Sequence, residues 1–251
     1  MKKAHPDDYA DYAMLLREDP DLLHPIFLLR NGWCTVYVDD RTKPQTLLVM
    51  DSTPDPDVYI IGKWNDWLVP RVEDARPRRV FATDGTLKKG SPFKDMVPAQ
   101  RAMLHWFDDP EAMEWDGEAQ KLEYPDDLEG FPDVLWKAYE TAETLLDEGA
   151  AFGVFAGEGL VSAATTYSLG QEWVLVAAHT RPEYRRKGFG EDAMRALLKH
   201  SMEELGLRPG CLTLHGDEAM AALARKVGFP NSMPSEMDLL VRVEPGNGKK
   251  G

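Results

Sequence analysis

Apolar residues along this chain recur with two different periods, and the switches between them predict most of its elements. Residues 7–30 carry apolar positions at helical spacing, interrupted at Pro20 and closed by Asn31-Gly32. Three strand-like runs follow at 33–38, 46–50 and 58–61, parted by Asp39-Asp40 and by Ser52-Thr53-Pro54-Asp55-Pro56. A short strand is expected around 80–81 and a helix over 98–107, after which the acidic stretch 108–117 reads as a linker. A strand at 119–124 opens a second set. Leu135, Ala138, Tyr139, Ala142, Leu145 and Leu146 then sit at helical spacing and stop at Gly149. Strands at 151–155, 160–167 and 172–180 turn through Gly157-Glu158-Gly159 and Leu169-Gly170. Met194, Leu197, Leu198 and Leu205 mark one further helix, and Met220, Leu223, Ala224 and Val227 another, with a strand at 212–215 between them. A last strand is expected at 237–243. The chain thus reads as a smaller α/β module at 1–115, a second module at 116–243, and a tail at 244–251 whose Gly and Lys content predicts disorder.

Composition narrows the class without supplying a function. With 251 residues, 43 % hydrophobic and 29 % charged, both modules can bury a core. A net charge of −14 opposes nucleic-acid binding, which needs a basic face to neutralise phosphates. It is compatible with attracting a cationic amine, although net charge mostly reports solubility. The two cysteines, Cys34 and Cys211, fall in different halves and fit neither a disulfide framework nor a zinc spacing, so no metal is expected. The first residues lack the apolar stretch of a signal peptide, and no apolar run approaches a membrane span. A soluble, cytoplasmic protein with no membrane partner is the expectation.

Residues 180–190, Thr-Arg-Pro-Glu-Tyr-Arg-Arg-Lys-Gly-Phe-Gly, carry the most specific chemistry. An apolar strand feeds this loop and a helix leaves it. Such a loop aims several backbone N–H groups at one spot, at the positive end of a helix dipole. Gly188 and Gly190 let the backbone come close, and Arg185, Arg186 and Lys187 add charge. The ligand this suits is a pyrophosphate. Gly188-x-Gly190-x-x-Ala193 also fits a dinucleotide fingerprint. Against that, Gly188 lies well beyond the strand, and too little chain follows to complete a dinucleotide domain.

Arg185-x-x-Gly188-x-Gly190, preceded by Pro182-Glu183-Tyr184, resembles the acyl-CoA pyrophosphate loop of the GNAT N-acetyltransferase superfamily. Leu212-Thr213-Leu214-His215, then the helical stretch from Asp217 to Val227 ending in Gly228-Phe229, resembles that family's next strand and closing helix. The resemblance covers about residues 150–230 and suits a bacterial branch with an extra N-terminal module. It implies an α+β fold, a mixed central sheet with flanking helices, preceded by a smaller α/β module that could be a degenerate second copy. It also implies acetyl-CoA as acyl donor and a small-molecule or peptide amine as acceptor, with a homodimer open. The rival is a catalytically silent CoA-binding sensor or interaction module.

The remaining site assignments follow from the same resemblance. Pyrophosphate contacts fall on Arg186, Lys187, Gly188, Phe189 and Gly190, with Arg185 opening the loop. Pantetheine would pair like an extra strand along Ala178, His179 and Thr180. The position that often holds a base is Val174, and the position that often holds an acidic tyrosine is Ala224. Neither can move a proton. Glu172, two residues before Val174 and so on the same strand face by period-2 alternation, is the candidate base, and His215 the candidate acid. Asp217 stands where the last helix usually opens with asparagine, and is also an ordinary N-cap. Trp64-Asn65-Asp66-Trp67 could receive an amine by cation–π contact, but reads more simply as a packed helix face.

Overall fold

The structure is a computed structural model describing residues 2–16, 18, 20–53, 56–83, 87, 91–109, 113–214 and 216–243. In chain order, the elements begin with β1 (Lys2–Lys3), α1 (Tyr9–Leu15), α2 (Leu23–Asn31), β2 (Cys34–Val38), β3 (Thr46–Asp51) and β4 (Asp57–Gly62). Next come α3 (Leu68–Ala75), β5 (Arg79–Ala82), β6 (Met96–Ala99), β7 (Met103–Trp106) and β8 (Gln120–Lys121). After α4 (Ala142–Glu148) stand β9 (Ala151–Ala156), β10 (Gly159–Leu169), β11 (Trp173–Thr180) and α5 (Phe189–Glu203). The chain closes with β12 (Arg208–Thr213), α6 (Glu218–Val227), β13 (Asn231–Pro234) and β14 (Asp238–Arg242).

These elements gather into two compact units. The first comprises Met1–Leu16, Leu28–Ala102 and Pro234–Gly251, the second Arg17–Phe27 and Met103–Met233. The boundaries expected at 1–115 and 116–243 therefore need correction. β7 lies in the second unit and β14 in the first, because each completes a sheet begun elsewhere in the chain. The expected tail, 244–251, lies outside the described residues.

Each unit is built on a seven-stranded sheet, and the two sheets share a plan. In the first, β2, β3 and β4 run antiparallel, and a crossover through α3 brings β5 parallel to β4. In the second, β9, β10 and β11 run antiparallel, and a crossover through α5 brings β12 parallel to β11. The next position in the first sheet is taken by β14, between β5 and β6; in the second it is taken by β7, between β12 and β13. The final strands of the two halves are exchanged. The first module is thus a second copy of the same topology, as the resemblance allows, and the sequence carries no repeat that would reveal it.

Packing follows from these patterns. In the first unit Leu48, Val58, Ile60 and Val80 from the strands meet Leu68 and Val72, one turn apart on α3. Trp64 and Trp67 pack against this core, but from the turn ahead of α3 and not from the helix face that the plain reading expects. In the second unit Val174 and Val176 of β11 meet Met194, Leu197 and Leu198 of α5 and Ala224 and Val227 of α6.

The expected helix at 98–107 is two strands instead. Leu104 and Trp106 point to one face of β7 and Met103 and His105 to the other, and four backbone pairs to β12 outweigh local helical spacing. The supposed linker is also anchored: Met113 is buried in the core of the second unit. Leu135, Ala138 and Tyr139 lie in short 3-10 turns, and the α-helix begins only at Ala142.

Candidate functional site

β11 and β12 pair at only three positions, Trp173↔Arg208, Val174↔Pro209 and Leu175↔Gly210. Beyond Leu175 they part. β11 continues along β10 as far as Thr180, while β12 is held by β7 on its other edge. The edge of β11 from Val176 to Thr180 therefore faces a slot. A ligand with amide groups can pair there as an added strand.

The loop at the open end of the slot is shaped by backbone conformation. Pro182–Tyr184 form one 3-10 turn, Arg186 adopts φ +62° and Gly188 φ +95°. Gly188 is the N-cap residue of α5 and supplies no side chain, so no side-chain bond closes the helix end. The first N–H groups of an α-helix have no partner within the helix and lie at its positive dipole end, and here the N-cap residue supplies no side chain to accept from them. A Cβ on Gly190 would lie 2.8 Å from Thr180 Oγ1, so glycine lets the helix start pack directly on the end of β11. Thr180 Oγ1 is in turn 2.8 Å from Ser162 Oγ.

The cations around this loop are arranged by local contacts. Arg185 Nε donates to Thr180 O at 3.1 Å, folding the loop back on its strand. Lys187 Nζ lies 5.0 Å above the ring of Tyr184, and Tyr184 and Phe189 pack onto the hydrophobic core. Arg185, Arg186 and Lys187 are exposed, and none forms an ion pair among the described residues. An open groove of about 690 Å³ adjoins Gly188 along α5, lined by Trp115, Asp192, Arg195 and Lys199. Asp192 holds the far wall: Trp115 Nε1 donates to Oδ1 at 2.6 Å and Glu118 N to Oδ2 at 2.9 Å.

Ala178, His179 and Thr180 lie on the slot edge with the loop above them, so the structure brings together the residues from Ala178 to Gly190 that the sequence singles out. The His179 ring meets Phe131 edge-on at 5.9 Å. Burial, then the charges of Arg185 and Arg181, lower its pKa from the usual imidazole value, so it is neutral at pH 7. Asp217 Oδ1 accepts the Met220 N–H at 3.0 Å and so caps α6. Glu172 is placed elsewhere. It is exposed in the turn before β11, at the closed end of the slot, roughly 25 Å of extended chain from Thr180. The alternation that put it on the face of Val174 does not reach it, because Glu172 precedes the strand; Val174 itself faces the buried core. His215 lies outside the described residues.

Sequence reasoning missed β7 and with it His105, whose Nε2 is 3.1 Å from Thr213 Oγ1 at the far end of β12. Burial, reinforced by Arg225, lowers the pKa of His105. The period-2 pattern of Met103-Leu104-His105-Trp106 was the available signal.

A sequence profile described as an acetyltransferase (GNAT) domain matches residues 93–230, more than half of the chain. The chain belongs to the GNAT acetyltransferase family. None of the curated protein sequences matches this GNAT protein. Among solved structures, a GCN5-related N-acetyltransferase-like protein from Streptococcus suis is similar, with TM-score 0.67 and 16 % identity over 95 % of this chain and 99 % of that one. A GCN5-related N-acetyltransferase from Kribbella flavida gives TM-score 0.62 and 14 % identity over 92 % and 95 %. A tandem GNAT protein from the clavulanic acid biosynthesis pathway gives 0.53 and 14 % over 97 % and 94 %. At these identities the likeness is one of fold, and it extends over both units. Among the described residues no helix of this GNAT protein is long and apolar enough to cross a membrane.

Proposed function

We propose that this GNAT protein moves an acetyl group from acetyl-CoA to a primary amine, carried by a small molecule or a peptide. The observation that carries this reading is the parting of β11 from β12 beneath an uncapped helix end with a basic loop. The pyrophosphate would lie on the N–H groups from Arg186 to Gly190, and the pantetheine arm along Ala178 to Thr180. A backbone N–H on the slot edge of β11 would receive the developing oxyanion. Acyl transfer then forms the nitrogen–carbon bond and breaks the carbon–sulfur bond. The nitrogen loses one proton and the sulfur gains one. The acidic surface fits the amine side of this pairing, and we expect neither nucleic acid nor membrane among the partners.

Calorimetry with coenzyme A tests the reading. Micromolar binding corresponds to about −8 kcal/mol. Gly188→Asp places a carboxylate at the helix end in a backbone conformation that L-residues avoid. It should weaken coenzyme A at least tenfold while the fold survives. Unchanged affinity in the folded variant would remove the proposal.

A second reading, CoA binding without transfer, is favoured by one observation. Val174 and Ala224 both lie fully in the apolar core, so neither usual proton-handling position is filled. Thiol release from acetyl-CoA across a panel of primary amines separates the two.

A further inference from the structure

We propose that the side chain of His179 is the catalytic base of acyl transfer, taking the proton that the attacking nitrogen releases and returning it to the departing sulfur. This rests on the acyl-CoA reading above. The slot edge of β11 runs Val176-Ala177-Ala178-His179-Thr180, and His179 is the residue of this run that can take up a proton near pH 7. Thr180 Oγ1, the other polar side-chain group there, is engaged by Ser162 Oγ at 2.8 Å. Val174, Val176 and Ala178 pack on the core beneath α5, and Thr180 lies under Gly190. By strand alternation His179 projects from the opposite face of the sheet. An acceptor that enters the slot from that face meets the imidazole beside the edge on which the thioester would lie.

The ring is braced while its nitrogens stay unengaged. Phe131, 6 % exposed, meets it edge-on at 5.9 Å. The Arg181 guanidinium lies 4.8 Å above the Phe131 ring and donates to Leu160 O at 2.9 Å and Glu129 O at 3.3 Å, which fixes this wall. His179 is half-buried, and its imidazole makes no hydrogen bond among the described residues. One ring nitrogen of the neutral imidazole is thus ready to accept a proton. The charges that act on it come from Arg185 and Arg181; among the described residues, the segment carrying Phe131 adds none. A neutral primary amine enters with acetyl-CoA, its nitrogen bonds to the acyl carbon, and the carbon–sulfur bond breaks. The proton leaving the nitrogen passes to the imidazole, and the imidazolium gives it to the sulfur. Amide and free thiol form, neutral His179 is restored, and no further reactant enters. Val174 and Ala224 offer no competing group.

The test combines a structure, an affinity and a rate on the full chain. In crystals grown with coenzyme A, the sulfur should lie within hydrogen-bond reach of the His179 ring, directly or through one water. His179→Gln should bind coenzyme A as the wild type does in calorimetry, because only the backbone of this residue would face pantetheine. It should release thiol from acetyl-CoA, with a panel of primary amines, at least about a hundredfold more slowly. In the wild type kcat/KM should lose one further proton's worth of slope below about pH 6.5, beyond the titration of the amine itself, and His179→Gln should lack that step. A merely structural histidine would leave the step in place. Coenzyme A bound with its sulfur out of reach of His179, a variant rate within a few-fold of wild type, or an unchanged pH step would overturn the assignment and leave the acyl-CoA reading standing. Coenzyme A binding without turnover of any amine would overturn it together with acetyl transfer, and failure of the wild type to bind coenzyme A would overturn the whole reading.

Discussion

Gly188 and Gly190 are two residues apart and are required for different reasons. A side chain at Gly188 would meet no atom within 4 Å, but the backbone there sits at φ +95°, where L-residues are strained. Gly190 has no positive φ and is limited by space, because its Cβ would press on Thr180 Oγ1. We expect Gly190→Val to cost about 1–3 kcal/mol in chemical denaturation, as overpacking does, and to weaken coenzyme A by prising α5 from β11. A fully stable variant would mean that the helix start is not seated as described. This loop was legible in the sequence because its residues are contiguous: glycines, cations and a proline turn lie within one stretch of eleven. The wall that braces His179 was not legible. Phe131 lies in an irregular segment upstream of β9 and meets His179 only on the assembled sheet. Glu172 was misplaced for a related reason, since alternation holds inside a strand and Glu172 lies before it.

At the scale of elements, strands with strong alternation or continuous apolar runs were read within a residue or two: β2, β3, β4, β9, β10 and β11 stand where expected. Short strands whose only support is a partner elsewhere were lost. β7 has four residues and β13 four, and each owes its conformation to its place in the second sheet. The segment from Met113 to Glu118 is a third case, irregular in backbone but tied down by Asp192. Asp192→Ala removes two bonds to a carboxylate, each worth about 1.5–3 kcal/mol to such a group. Hydrogen exchange at the Glu118 amide should accelerate strongly, and the groove beside Gly188 should lose its outer wall. An unchanged exchange rate at Glu118 would show that this carboxylate is not what holds the segment.

For the whole molecule, acid is the condition to which stability should respond first. Burial lowers the pKa of His105, His179 and His200 together, with Arg225, then Arg185 and Arg181, and Lys121 adding to the respective effects. An unfolded histidine takes up its proton near pH 6.5, about where model peptides do. The folded sites resist until lower pH, so in that window the unfolded chain holds more protons and stability rises with pH. It should therefore fall as pH drops below about 6.5, and calorimetric melting at pH 5.5 should precede melting at pH 7.5. A higher melting temperature at pH 5.5 would contradict the assignments. The exchange of β7 and β14 bears on how such a chain can be made. Synthesis delivers β5 long before β14, the strand that belongs beside it. Until Arg242 has emerged, the growing polypeptide displays an open sheet edge of the kind that recruits foreign strands. Ribosome-bound chains halted before residue 234 should accordingly be cut by protease within 34–99 and engaged by chaperones. Chains halted beyond residue 243 on an added spacer should resist. Equal resistance in both would mean that the first sheet closes without its borrowed strand.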